Sequence, residues 1–187
     1  MALNPRGKVP ALRDGDFVLY ESLAIMQYLE CKYPANPLFG RTPRETGAIW
    51  RVISEFGAYP HMPLSRISGP FLFDKSEEKA SDIRAALPEV HGELEKLEAA
   101  ATNSAWLGGK AVTAADVAIY PVLMLLLRAS ARKEAEPFKL RLLPFEDRYP
   151  RLGAWMERIE DLPRYDNTYP PHWRQQNDGG AHFFLAT

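Results

Sequence analysis

The segment at residues 117–127 is apolar around its whole circumference if it forms a helix. A helix without a polar face has to be enclosed by other helices, so this segment predicts the central helix of an all-helical domain. Pro121 lies within it and is expected to bend it, because proline has no backbone N–H to donate. The chain of 187 residues is 46% hydrophobic, which is enough to build such a core in one or two small domains.

Other segments of this domain also have helical patterns. A continuous apolar stripe at steps of four and three predicts an amphipathic helix; it consists of Ile83, Leu87, Val90, Leu94, Leu97 and Ala101. Thr113 and Asp116, three residues apart, predict a capping box at the start of the central helix. Residues 44–56 are expected to form a helix. Residues 59–73 contain three prolines and are expected to form a bent or irregular connection.

The first 34 residues have a different pattern. Asp14-Gly15 stands between two apolar runs, which favours a hairpin of two short strands. Glu21-Ser22 follows, and then apolar residues at helical spacing as far as Tyr33. We therefore predict an α+β chain: a ββα unit at residues 1–34, a linker rich in proline and glycine at 35–41, and an all-helical domain at 42–187.

Charge and cysteine content narrow the classes of function. Basic and acidic residues are nearly balanced at 23 and 24, so neither a nucleic acid nor a membrane is an expected partner. Cys31 is the single cysteine, so a disulfide framework and a Cys-x-x-Cys site are excluded, and it is expected to be a buried apolar residue. No metal is expected. We predict a cytoplasmic protein whose ligand is small.

Two pairs of residues at the ends of the predicted hairpin could form a receptor. Pro10 at the start of a strand can take the cis form, which would turn the main chain of Val9 outward to pair with an extended peptide. Ser22 lies where a helix begins, and free N–H groups there favour a carboxylate. Glu21 can accept from an ammonium group on the same ligand carbon, and Lys8 can meet a second carboxylate.

A short peptide with an amino-acid head and a distant carboxylate, such as glutathione, fits this receptor. Each residue also has a simpler interpretation: Pro10 as an edge-strand proline, Ser22 as a helix cap and Lys8 as an exposed lysine. The joint spacing favours the receptor.

Residues 4–12, NPRGKVPAL, and 20–29, YESLAIMQYL, resemble the second half of the thioredoxin-like domain of glutathione transferases. Residues 108–109 and 112–118, GG and VTAADVA, are similar to the segment that opens the central helix of that family. The likeness extends over residues 4–173. It implies a partial thioredoxin-like domain followed by the family's helical domain.

The resemblance also implies a site and an activity. Val9 and Pro10 would bind the cysteinyl backbone of glutathione, Glu21 and Ser22 its γ-glutamyl head, and Lys8 its glycine carboxylate. Glutathione would be the co-substrate, and its thiolate would attack a small electrophilic substrate. Family membership further implies a homodimer.

Family members normally have a strand, a helix and a strand before this point, roughly 50 residues on the usual size of such a unit. That segment carries the serine, tyrosine or cysteine that stabilises the thiolate. We therefore expect a truncated form in which the catalytic residue is unknown and one strand edge is uncovered. Two alternatives stay open: a binding protein without turnover, and a glutathione-dependent dehalogenase or reductase.

Overall fold

The computed structural model describes residues 3–102 and 104–170. An antiparallel hairpin of β1, Ala11–Asp14, and β2, Phe17–Tyr20, leads into helix α1, Ser22–Lys32. The other elements of the described chain are helical: α2 Pro43–Ala58, α3 His61–Leu72, α4 Ala80–Ala100, α5 Ala114–Ser130, a 3-10 helix Lys133–Phe138, α6 Phe145–Arg148, α7 Pro150–Glu160 and α8 Tyr165–Thr168. The predicted α+β order is confirmed. Residues 171–187, the end of the predicted helical domain, lie outside the described part.

The hairpin turns where the sequence predicts. Asp14 pairs with Phe17, so the loop consists of Gly15 and Asp16, and Gly15 has a φ of 64°. Glycine adopts such positive φ angles without steric cost. The Tyr28 hydroxyl donates to the Asp14 carboxylate at 2.5 Å, and Lys32 forms an ion pair with the same carboxylate. Helix α1 is therefore tied to the turn end of the hairpin.

Helix α5 lies at the centre of the helical domain, as predicted. It packs against α2, α3 and α7, and its residues Ile119, Leu123 and Leu127 are fully buried. Val117, at 42% exposure, and Pro121 are exposed, because this side of α5 borders a groove. The predicted stripe on α4 is confirmed as well: Ile83, Val90 and Leu94 are buried, and Leu87, Leu97 and Ala101 are partly buried against the same core.

The predicted capping box is present, and Asp116 does more than cap. The Thr113 N–H and hydroxyl donate to Asp116 Oδ2 at 2.8 and 2.7 Å. Asp116 Oδ1 accepts from the Leu107 N–H at 2.7 Å and from Trp155 Nε1 at 2.8 Å. This fully buried carboxylate therefore joins the start of α5 to the preceding loop and to α7.

Two predictions were wrong. The segment at residues 59–73 is not irregular: it contains α3, a helix whose Leu64, Ile67 and Phe71 are buried. Its early prolines fall where a helix needs no N–H partner, and Pro70 removes one bond close to the C-terminal end. Cys31 is exposed instead of buried: the residues of α1 that pack on the helical domain include Leu23 and Met26, and Tyr28 bonds the hairpin turn.

No helix in residues 3–102 and 104–170 has the length and apolar character needed to cross a bilayer.

Candidate functional site

The main chain at Val9 is accessible. The Val9–Pro10 peptide bond is cis, and Val9 is 92% exposed. Within the described ranges, no residue donates to or accepts from the Val9 main chain. Its N–H and C=O can therefore pair with an extended ligand in the manner of strand addition.

Asn4 fixes the loop that leads to Val9. It is 6% exposed, and its Nδ2 donates to the Lys8 carbonyl at 2.7 Å, while its Oδ1 accepts from the Arg6 N–H at 2.9 Å. The Gly7 N–H closes the turn by donating to the Asn4 carbonyl at 3.0 Å. Sequence reasoning missed this role, although Asn-Pro-x-Gly is a turn pattern in which the asparagine side chain bonds its own backbone.

Lys8 and Val9 differ from Asn4 in that their side chains point outward. Lys8 is exposed, and its ammonium group has no hydrogen-bond or ion-pair partner among the residues that the structure describes. Its carbonyl is held by Asn4, so the backbone from which the side chain extends has a fixed place.

The hairpin register places the two predicted receptor pairs at one end. Ala11 pairs with Tyr20 at the end of the ladder away from the turn, and Val9-Pro10 and Glu21-Ser22 adjoin that end on the two strands. The turn, with Asp14, lies at the opposite end. The geometry of the hairpin therefore brings the four residues to the same side of this small unit.

The start of α1 offers free hydrogen-bond donors. The first helical bond runs from the Ile25 N–H to the Glu21 carbonyl at 3.0 Å, and within the described ranges no acceptor faces the N–H groups of Ser22, Leu23 and Ala24. Neither Glu21 nor Ser22 makes a side-chain cap. The interpretation of Ser22 as an ordinary helix cap is therefore wrong, and these donors, with the helix dipole, suit a carboxylate.

Glu21 has an unusual backbone. Its φ is 74° and its ψ is 119°, a conformation that residues other than glycine rarely adopt. Such outliers cost roughly 1–3 kcal/mol and cluster at functional sites. No sequence pattern predicts this conformation, because glutamate has no preference for it. The Glu21 side chain is exposed beside the helix start, where it can accept from a cation.

A separate groove of about 490 Å³ lies between α5, α7 and α8. Its lining is mostly apolar, and the Tyr120 hydroxyl within it donates to Glu160 at 2.8 Å and contacts the Tyr165 hydroxyl. Burial raises the pKa of both phenols, that of Tyr165 to about 12. Both therefore stay protonated at neutral pH. No motif in the sequence indicates this groove.

Two aromatic residues in and after α2 have different surroundings. Trp50 stacks on Phe39 with ring centroids 5.2 Å apart, whereas Tyr59 lines a recess of about 180 Å³ together with Met62 and Glu93. No cluster of three or more His, Cys, Asp or Glu side chains able to hold a metal ion occurs in the described residues.

Comparison with known proteins matches both halves of the chain to the same protein family. Residues 1–37 match the model of the glutathione S-transferase N-terminal domain, and residues 52–163 match that of the C-terminal domain. Glutathione S-transferase Z1 of Arabidopsis thaliana is 31% identical over 172 residues, which cover 90% of this chain and 71% of the relative. Glutathione S-transferase A of Pleuronectes platessa is 26% identical over 183 residues, 96% of this chain and 76% of the relative.

The crystal structure of a glutathione S-transferase from the Antarctic clam Laternula elliptica superposes with a TM-score of 0.75 at 28% identity. The match covers 99% of this chain and 79% of the clam protein. The fold is thus that of a partial thioredoxin-like domain followed by the family's helical domain, and the chain belongs to the glutathione S-transferase family.

Proposed function

We propose that the chain is a glutathione S-transferase whose glutathione site includes Lys8, Val9, Pro10, Glu21 and Ser22. The observation that carries the proposal is that two sets of main-chain groups without hydrogen-bond partners lie at the same end of the hairpin. They are the unpaired main chain of Val9 and the unpaired amides at the start of α1. The names of its relatives support the same activity.

Each residue has a defined part in binding. The Val9 main chain pairs with the cysteinyl backbone of glutathione, and Pro10 keeps that main chain facing the ligand. The amides of α1 and the Ser22 hydroxyl hold the γ-glutamyl carboxylate, while Glu21 accepts from the adjacent ammonium. Lys8 pairs with the glycine carboxylate at the other end.

The reaction follows from the bound tripeptide. Its thiol loses a proton, and the sulfur electron pair attacks an electrophilic carbon to form a C–S bond, while the leaving group departs with the bonding pair. We assign no residue of this chain to lowering the pKa of that thiol. The second substrate is a small electrophile, and a homodimer in the cytoplasm is the form that we propose.

Calorimetric titration of glutathione into the chain tests the site. Ser22→Ala should weaken binding about tenfold or more, since a hydrogen bond to a charged group contributes about 1.5–3 kcal/mol. Ser81→Ala is the matched control, because Ser81 is also an exposed serine in the first turn of a helix, α4, and should bind glutathione like the unaltered chain. Equal affinity of the two variants would contradict the site.

Conjugation of glutathione to an aromatic halide tests the activity. A chain that binds glutathione and forms the thioether is a transferase. Binding without conjugation favours the alternative of a binding protein without turnover. Release of halide with formation of glutathione disulfide favours the reductive alternative.

A further inference from the structure

A carboxylate of helix α1 bonds the segment that leads into the helical domain. Glu30, near the C-terminal end of α1, accepts from the Leu38 N–H at 2.5 Å through Oε2. The Phe39 N–H donates to the same carboxylate, at 2.9 Å to Oε2 and 3.2 Å to Oε1. Two consecutive main-chain amides of the segment after α1 thus converge on a single side chain. Hydrogen bonds to a charged acceptor are stronger than those between neutral groups.

The segment that Glu30 holds is itself part of the helical domain. The Leu38 carbonyl accepts from the Ala114 N–H at 2.9 Å, at the first residue of α5. Phe39 is 2% exposed, stacks on Trp50 and packs in a cluster with Ile49 and Ile53 of α2. Leu38 and Phe39 therefore move with α2 and α5, and Glu30 ties α1 to that body.

The other end of α1 carries the proposed γ-glutamyl site. Ser22 and Glu30 are eight residues apart on one continuous helix, about 12 Å at the rise of an α-helix. Between them, Leu23 and Met26 are only partly buried where they pack on the Phe39 cluster. This apolar contact allows α1 to tilt or rotate, whereas two directed hydrogen bonds at Glu30 fix its direction.

We infer that Glu30 is a positioning residue for the glutathione site: it sets the orientation of α1 on the helical domain and thereby the place of Ser22. Glu30 touches neither glutathione nor the thiol; it acts through the helix. This inference rests on the proposed function where it concerns glutathione. The link between α1 and the helical domain can be measured without any ligand.

The variant Glu30→Gln tests the inference, because the amide keeps the size of the side chain but replaces one acceptor oxygen by a donor. Glu157→Gln is the control, since Glu157 is an exposed glutamate on α7, which has the same 11-residue length as α1. In Glu30→Gln the amide protons of Leu38 and Phe39 should exchange with solvent about tenfold faster. Unchanged exchange would overturn the inference at its first step.

A spin label on Cys31 reports on α1 directly. Cys31 is the single cysteine of the chain and is exposed, so no further substitution is needed. The label should become more mobile in Glu30→Gln than in the unaltered chain, and Glu157→Gln should leave its mobility unchanged. Equal mobility in all three proteins would mean that Glu30 does not orient α1.

Glutathione affinity separates a positioning role from a merely structural one. The dissociation constant should rise about tenfold in Glu30→Gln while the melting temperature of the helical domain changes little. In the Ser22→Ala background the same substitution should have a smaller but still measurable effect, because the Ser22 hydroxyl is one of the contacts that α1 makes with the ligand, beside its amides. The inference would be overturned if the effects of the two substitutions on binding free energy were additive. It would also be overturned if Leu38 and Phe39 exchanged faster in Glu30→Gln while the dissociation constant stayed unchanged. If the unaltered chain binds no glutathione, the proposed function fails, and the label mobility alone decides whether Glu30 orients α1.

Discussion

Glu21 combines a strained backbone with a proposed ligand contact. Its substitution should therefore change the free energy of unfolding and the affinity for glutathione in different ways. Glu21→Gly removes the cost of a φ of 74° but adds chain entropy to the unfolded state. We expect the free energy of unfolding to stay within about 1 kcal/mol of its original value or to rise. Glutathione affinity should fall about tenfold, because the acceptor for the ammonium is lost.

Urea denaturation and calorimetric titration of Glu21→Gly measure the two quantities. A loss of more than about 2 kcal/mol in unfolding free energy would show that Glu21 stabilises the fold instead of straining it. The sequence alone could not predict this conformation, since it arises from the geometry of the strand-to-helix junction.

His91 gives the chain a pH-dependent stability. Its Nε2 lies 3.0 Å from the Leu140 carbonyl and so carries the proton, which leaves Nδ1 to accept from the Tyr149 hydroxyl at 2.7 Å. Burial lowers the pKa of His91, although its bond to Leu140 acts in the opposite direction. The unfolded chain therefore binds a proton at higher pH than the folded one. The stabilisation of the fold by neutral His91 is complete above about pH 6.5 and is lost as the pH falls below that value.

Urea midpoints measured from about pH 7.5 down to about pH 5.5 test this dependence. The midpoint should fall more in the unaltered chain than in His91→Gln. His61→Gln serves as the control, because His61 is an exposed residue of α3, and it should retain the full dependence. A parallel decline in His91→Gln would assign the effect to other groups.

At the scale of elements, the two capping boxes should differ in what they contribute. Thr42 and Glu45 cap α2 at the surface, whereas Thr113 and Asp116 cap α5 in the interior. Glu45→Ala should cost about 1 kcal/mol of unfolding free energy. Asp116→Ala should cost about 3–5 kcal/mol, because it leaves buried donors of Leu107, Thr113 and Trp155 unpaired.

Urea denaturation of the two variants gives both values in one experiment. Similar costs for Glu45→Ala and Asp116→Ala would mean that the bonds from Leu107 and Trp155 add nothing to the cap of α5.

These elements also show what the sequence could predict. Local patterns sufficed for the hairpin at Asp14-Gly15, the stripe of α4 and the box at Thr113, since each depends on neighbouring residues. The sequence does not predict α3 correctly, because the effect of a proline depends on where the helix begins, and tertiary packing decides that point. The partners of Asp116 on α7 and of Glu30 in the segment after α1 depend on tertiary contacts, which no local pattern records.

At the scale of the whole molecule, the edge of β1 matters. In the described residues β1 pairs with β2 alone, so its other edge presents free main-chain groups. Such edges pair readily with other chains. We predict that the purified chain associates at micromolar concentration and that its mass, measured by light scattering, falls on dilution. A monomer of this chain that holds glutathione at micromolar concentration would contradict that prediction.

The proposed function depends on glutathione binding to main-chain groups at one end of the hairpin. Amide chemical shifts recorded by NMR during a glutathione titration measure this binding residue by residue. We expect the largest changes at Val9 and at Ser22, Leu23 and Ala24, with Asp14 and Gly15 at the turn unaffected. Changes confined to the groove between α5, α7 and α8, or the absence of any change at Val9 and Ser22, would contradict it.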